Sequence, residues 1–212
     1  MRRAWAIIGG FVRISLLFAA VLLGLTVLSG NAHASSGHIY LLRGLANIFS
    51  TGLDTLDEKL VQRGFAATVH NHVEYDALAI EAARLQKSGK GPIIIIGHSL
   101  GADAAIFMAE KMKTAGASVA LVVTFGPTMN LVAPSNVSQV INYYTGSAVV
   151  TRGPGFKGKI SNINLNAASD INHLNIEKNN RLHASVISKI QTIAGRGHVS
   201  RAAAVQSNSA RR

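Results

Sequence analysis

Residues 92–102 read Pro92-Ile93-Ile94-Ile95-Ile96-Gly97-His98-Ser99-Leu100-Gly101-Ala102. The isoleucine run is too short for a typical helix, and its β-branched side chains favour extended backbone. A run that is apolar at every position is typical of a central parallel strand covered on both faces. The Ala-rich segment that follows, up to about residue 114, predicts a helix. We therefore expect a buried strand that ends in a tight turn and leads directly into a helix.

Short β-branched runs alternate with segments of helical period on both sides of this stretch. That alternation predicts an α/β fold with a mostly parallel sheet flanked by helices. The 212 residues have room for one such domain, which we place at residues 35–194. The predicted strands are residues 38–42, 65–70, 92–96, 118–125, 137–144 and 160–165, and the predicted helices are residues 53–63, 73–87, 101–114 and 182–193.

Composition excludes several classes of protein. Hydrophobic residues make up 48% of the chain and charged residues 15%, which is too apolar for a disordered protein. There is no cysteine, which excludes disulfides, Cys-ligated zinc and a thiol nucleophile. No metal or organic cofactor is implied by any motif.

The net charge of +11 lies largely at the two ends of the chain. Residues 1–34 and residues 195–212 each contain arginines and no acid. Nucleic-acid binding would require basic residues on a folded face, so we expect no nucleic-acid partner. Residues 195–212 predict a disordered basic tail, which would touch an anionic envelope surface weakly. We expect a monomer.

Residues 1–34 have the three parts of an export signal. Arginines flank an apolar run, residues 14–28, and Ala32-His33-Ala34 precedes Ser35. The run is short for a membrane span, and small residues at this spacing suit a signal peptidase. We predict cleavage after Ala34 and release to the periplasm or medium. The alternative is an uncleaved N-terminal membrane anchor.

Gly97-His98-Ser99-Leu100-Gly101 matches the pattern G-x-S-x-G in the strand, turn, helix context of a nucleophile elbow. With Ala102, it resembles the elbow of the α/β-hydrolase superfamily, especially its lipases, esterases and thioesterases. The stretch 123–127 is similar to the strand end after the nucleophile helix in class 3 lipases, and residues 140–142 to their next strand. The resemblance covers about residues 38–193.

The resemblance implies a role for several residues. Ser99 would be the nucleophile and His173, which follows the last predicted strand, the base. The amide of Leu100 would be one oxyanion-hole donor, and that of Gly44 or Leu45 the other. His98 is expected to point away from the nucleophile, and Asp103 to favour the helix dipole rather than take part in the chemistry.

The third member of the triad, the acid that orients the base, departs from the family pattern. Lipases have an aspartate in this part of the chain, whereas residues 145–151 contain no carboxylate. Asp170, three residues before His173, is our first candidate for the third member of the triad. A Ser-His dyad, in which Asn172 or the backbone holds the ring, and a triad completed by Glu177 or by an acid elsewhere are the alternatives.

We therefore expect an exported serine hydrolase that cleaves a carboxylic ester or thioester of a small molecule or lipid. Ser99 would form an acyl-enzyme, with His173 as general acid and base. The segment 126–136 is too short for a helical lid, so we expect an open site, with residues 151–159 as the only flexible cover. The alternatives are acyl transfer to an acceptor other than water, and a catalytically weak hydrolase-fold protein that serves as an envelope binding or structural module.

Overall fold

A computed structural model describes residues 37–45 and 50–209 of the chain, with side chains described as far as residue 195. The predicted signal peptide, residues 1–34, lies outside the described residues. Within them, no helix is both long enough and apolar enough to cross a membrane.

Strands and helices alternate along the described chain. The strands are β1 (His38–Arg43), β2 (Ala66–Asn71), β3 (Ile93–His98), β4 (Leu121–Phe125), β5 (Leu131–Ala133), β6 (Gln139–Tyr144), β7 (Val150–Arg152) and β8 (Lys159–Asn164). The α-helices are α1 (Gly52–Val61), α2 (Tyr75–Lys87), α3 (Leu100–Thr114) and α4 (Asn180–Ser209), and short 3-10 helices lie at His72–Glu74 and Ile176–Lys178.

Six strands form one sheet in the order β2-β1-β3-β4-β6-β8, and every pair in it is parallel. The isoleucine strand β3 is therefore central, as predicted, and all six of its residues are buried. Ile93 and Ile95 pack on one face of the sheet with α2 and α3. Ile94 and Ile96 pack on the other face with α1 and α4. The predicted α/β class with helices on both faces is confirmed.

Two short strands were not predicted. β5 and β7 pair in parallel and form a second sheet of their own. β5 lies within the segment 126–136, and β7 overlaps the start of the segment 151–159; both segments were expected to be loops. The first of these segments contains no helix, so it forms no helical lid. The second contains no helix or strand between Arg152 and Lys159.

The closing helix is longer than predicted. It begins at Asn180 and continues to Ser209, into the segment 195–212 for which the sequence predicted a disordered tail. Residues 202–204 are alanines and follow Arg201, and alanine and arginine are both strong helix formers. Residues 210–212 lie outside the described residues.

Candidate active site

The turn between β3 and α3 is held in place by two glycines. A Cβ on Gly97 would lie 1.9 Å from the carbonyl oxygen of Gly101, and a Cβ on Gly101 would lie 1.9 Å from that of Leu42. No larger residue fits at either position. Ser99 between them has φ +56° and ψ −125°, and it is the only residue other than glycine with a positive φ in the described chain. Strain of this kind costs about 1–3 kcal/mol and persists only where the surroundings enforce it, typically at active sites.

Ser99 and His173 come together at the carboxyl edge of the sheet. The His173 Nε2 lies 3.0 Å from the Ser99 Oγ, although 74 positions separate the two residues in sequence. Both residues are half-buried, so the pair is open to solvent on one side. This is the distance expected of a serine nucleophile and its base. The sequence-based pairing of these two residues agrees with this geometry.

The far side of the His173 ring faces main chain. Gly126, after β4, has φ +56°, and a Cβ there would lie 2.9 Å from the His173 Nδ1. The loop after Gly126 is tied to α3 by the buried Asp103. The Asp103 carboxylate accepts hydrogen bonds from the amide of Thr128, at 3.0 Å, and from its hydroxyl. Asp103 therefore supports the surface on which His173 rests.

Burial raises the pKa of Asp103 above its ordinary value, and the hydrogen bonds from Thr128 and Met129 and the nearby His173 oppose the rise. Sequence reasoning assigned this aspartate only to the helix dipole. Its contacts with the loop after β4 join elements that are 25 positions apart in the chain, and no local pattern reveals them.

Two of the expected oxyanion-hole residues, Leu100 and Gly44, lie beside Ser99. Leu100 is the first residue of α3, so its amide has no acceptor within the helix. Gly44 follows β1, and a Cβ there would lie 3.0 Å from the Ser99 Cβ. Its amide donates to the Ser50 Oγ at 2.9 Å, however, so Gly44 is not the free donor that was expected. Of the two candidates, the amide of Leu45 is the one with no acceptor in the described chain.

Asp170 does not reach the base. In the described chain, no carboxylate hydrogen-bonds or pairs with His173. Asp170 is exposed, and its main-chain carbonyl accepts a hydrogen bond from Asn175. Asn172 caps the same loop, because its side chain accepts the amide of Leu174. These local asparagine contacts shape the loop and leave the Asp170 carboxylate in solvent, so the predicted contact with the ring is absent.

A buried polar cluster lies beneath the elbow. His98 is 2% exposed, and its ring centre is 5.3 Å from that of His173. The His98 Nδ1 lies 2.9 Å from the Ser50 Oγ, and the His98 Nε2 lies 2.8 Å from the main-chain oxygen of His173. Glu177 is completely buried, with a carboxylate oxygen 3.6 Å from that Nε2. Glu177, an alternative for the third triad member, thus contacts His98 and not His173.

Burial shifts both ionisable groups toward their neutral forms. It lowers the pKa of His98 to about 4, so the ring is neutral at pH 7. Burial likewise raises the pKa of Glu177 to about 7, against the opposing effect of nearby amides and Lys178. The contact between the two side chains is therefore not a stable ion pair at neutral pH. Sequence reasoning missed His98 and Ser50, although the position of His98 beside the nucleophile was a signal.

An apolar cleft of about 430 Å³ runs beside α3. It is lined by side chains of α3 and by residues 129–134 and 153–154, and its exposed large hydrophobic members are Phe107, Met129 and Val132. Neither Ser99 nor His173 lines it. The residues that the structure describes contain no group of His, Asp and Glu side chains arranged to hold a metal ion.

No protein-family model and no curated protein matches this sequence. Among solved structures, the chain is similar to one from Xanthomonas campestris pv. campestris that is named a candidate hydrolase of the alpha/beta superfamily. The two share 14% identity over 72% of this chain and 99% of the other, with a TM-score of 0.39. The chain has an α/β fold with a parallel six-stranded sheet.

Proposed function

We propose that this chain is a serine hydrolase of the α/β-hydrolase type that cleaves a carboxylic ester or thioester. The observation that carries the proposal is the 3.0 Å contact between the Ser99 Oγ, on a strained turn, and the His173 Nε2. A structural serine has no need of a strained backbone conformation or of an imidazole at hydrogen-bond distance. A nucleophile needs both exposure and a base.

The reaction would proceed through an acyl-enzyme. The Ser99 Oγ bonds to the substrate carbonyl carbon while its proton passes to the His173 Nε2. The amides of Leu100 and Leu45 would donate to the oxyanion. Collapse of the tetrahedral species breaks the bond to the leaving oxygen or sulfur, which takes the proton from His173. Water then attacks the acyl-enzyme by the same route, with His173 again accepting and returning a proton.

His173 would act without a hydrogen-bonded carboxylate. In a triad the acid holds the imidazole in the correct tautomer and stabilises the imidazolium, and its loss lowers the rate without abolishing the reaction. Here the Nδ1 side of the ring lies against the backbone at Gly126. The arrangement supports a Ser-His dyad of modest rate.

The surroundings of Ser99 favour accessible esters. The segment 126–136 forms β5 and no helix, so it does not cover the nucleophile with a helical lid. A partly wet site stabilises an oxyanion less than a dry one, which again implies modest rates. We propose small-molecule esters or lipid esters with an exposed ester group as substrates.

The missing carboxylate also favours a second candidate, a hydrolase-fold protein of little catalytic power that serves as an envelope binding module. Labelling with a fluorophosphonate, read at Ser99 by mass spectrometry, separates the two. The hydrolase should be labelled, and Ser99→Ala should lose both labelling and at least about 10⁴-fold of its p-nitrophenyl ester turnover. Ser188→Ala, on an exposed position of α4, is the matched control. Labelling that survives in Ser99→Ala would place the nucleophile elsewhere.

We propose further that the chain is exported and processed after Ala34. The support is the order of basic, apolar and small residues in the N-terminal segment. N-terminal sequencing of the protein recovered outside the cytoplasm should begin at Ser35. An intact chain in the membrane fraction would indicate an N-terminal anchor.

A further inference from the structure

The buried ring of His98 has a defined partner on each nitrogen. The main-chain oxygen of His173, 2.8 Å from the His98 Nε2, can only accept a hydrogen bond, so Nε2 must carry the proton. The Glu177 side chain lies 3.6 Å from the same nitrogen and makes no hydrogen bond to it, so the main-chain oxygen is the acceptor that fixes the tautomer. The neutral ring then accepts at Nδ1, and the Ser50 hydroxyl donates to it at 2.9 Å.

The Ser50 hydroxyl extends these contacts to the loop after β1. Its oxygen accepts the amide of Gly44 at 2.9 Å while its proton goes to His98. All three hydrogen bonds run in one direction, from Gly44 through Ser50 and His98 to the carbonyl of His173. The His98 imidazole thus connects three parts of the chain. These are the loop after β1, the end of β3 and the loop that contains His173.

His173 is consequently held at two points by two neighbouring residues. Its ring contacts the Ser99 Oγ at 3.0 Å, and its main-chain oxygen accepts from His98. Two attachments fix both the position of the base and the direction of its side chain. In a site where no carboxylate in the described chain reaches His173, this second attachment takes on the orienting part of that role.

We propose that His98, held in one tautomer by the main-chain oxygen of His173 and the Ser50 hydroxyl, is a positioning residue that orients the catalytic base through the main chain of His173. The proposal rests on the proposed function for its kinetic consequence, and on the buried contacts for its structural one. His98 does not touch the substrate. A misplacement of the base by about 1 Å costs on the order of 100-fold in rate, which sets the scale of the expected effect.

Two substitutions distinguish the hydrogen bond made by the His98 Nε2 from the one made by its Nδ1. The side-chain amide of glutamine reaches the position of Nε2, and that of asparagine reaches only the position of Nδ1. We expect His98→Asn to lower kcat for a p-nitrophenyl ester by about 100-fold, and His98→Gln to stay within about tenfold of the wild-type rate. The KM should change less than about threefold in either variant, because the ring lies beneath the nucleophile and outside the substrate path.

A control is needed for loss of stability. Asn136 is bound to the main chain at Ala109 and Ala117, next to the start of β4 and thus at the edge of the sheet opposite Ser99. Asn136→Ala should lower the free energy of unfolding without changing kcat per folded molecule. If His98→Asn and His98→Gln have equal rates, or if Asn136→Ala loses as much kcat as His98→Asn, the proposal is overturned.

Nitrogen NMR of the histidine rings tests the positioning without activity. In the full-length wild-type chain, His98 should be neutral with its proton on Nε2. The ring resonances of His173 should shift in His98→Asn and remain near wild type in His98→Gln. A proton on the His98 Nδ1, or unchanged His173 resonances in the asparagine variant, would overturn the proposal. Failure of Ser99 labelling with this spectrum intact would refute the hydrolase and leave the positioning contacts confirmed.

Discussion

The elbow and the loop that contains the base are built in different ways. The elbow, residues 97–101, depends on main-chain atoms so close together that only glycine fits at its two ends. The base loop, residues 165–179, depends on side chains instead. Asparagines shape it locally, while His98 and Ser99 hold His173 from 74 or 75 positions away. A catalytic site can thus join a rigid local turn to a loop whose position depends on long-range polar contacts.

Removal of the base should have the largest effect. His173→Ala takes away the group that accepts the Ser99 proton, so kcat/KM for a p-nitrophenyl ester should fall by about 10⁴-fold. The fold should survive, since the His173 ring is only half-buried. His70→Ala, on the edge strand β2, is the control and should leave the rate unchanged. A loss under tenfold in His173→Ala would show that another group accepts the proton.

An added methyl group in the elbow should lower the stability of the fold. In Gly101→Ala the new Cβ would meet the Leu42 carbonyl oxygen at 1.9 Å, so β1 or α3 must move. We expect the free energy of unfolding to fall by about 4 kcal/mol. Gly195→Ala is the matched control, because a Cβ there meets no atom within 4 Å. Equal denaturant midpoints for the two variants would contradict the packing described for the elbow.

The buried carboxyl group of Glu177, near the end of the base loop, should make stability depend on pH. The pKa of Glu177 is about 7 in the folded chain against an ordinary value of 4.5, so the folded chain keeps this proton to higher pH than the unfolded chain. Ionisation therefore costs stability as the pH rises from about 4.5 to about 7, and glutamine cannot ionise.

The stability of Glu177→Gln relative to wild type should consequently increase by about 3 kcal/mol between pH 4.5 and pH 8. Urea unfolding of both chains across this range measures the difference. A difference that stays constant would show that folding leaves the pKa of Glu177 unshifted, and a difference that decreases with rising pH would show that folding lowers it.

The smallest effect is expected for the residue that the sequence favoured as triad acid. Asp170 is exposed, and in the structure its side chain makes no contact with His173, so Asp170→Asn should keep kcat within about twofold of wild type. Measurement of kcat and KM with the same ester decides it. A loss of more than tenfold would mean that the loop closes on the ring when substrate binds.

Much of the fold could be predicted because it follows from local pattern. β-branched runs and helical periods placed the six strands of the main sheet, the helices α1 to α3 and the start of α4 within a few residues. The short strands β5 and β7 were missed, because three-residue strands carry almost no periodic signal and exist only through their pairing with each other. The extension of α4 to Ser209 was not predicted, because residues 195–212 are basic and therefore resemble a disordered tail. The alanines and arginines in this segment also favour a helix.

The sequence by itself determined the tight strand-to-helix turn at residues 97–101 and the chain order of Ser99 and His173, because glycine spacing, β-branched residues and chain order are local or one-dimensional properties. Only the tertiary structure decided which polar groups meet. It turned the Gly44 amide toward Ser50, left Asp170 in solvent, brought Asp103 to the loop after β4 and buried Glu177 against His98. A hydrogen bond forms or fails when the distance between donor and acceptor changes by a few tenths of an ångström. The folded structure sets that distance, and no local sequence preference encodes it.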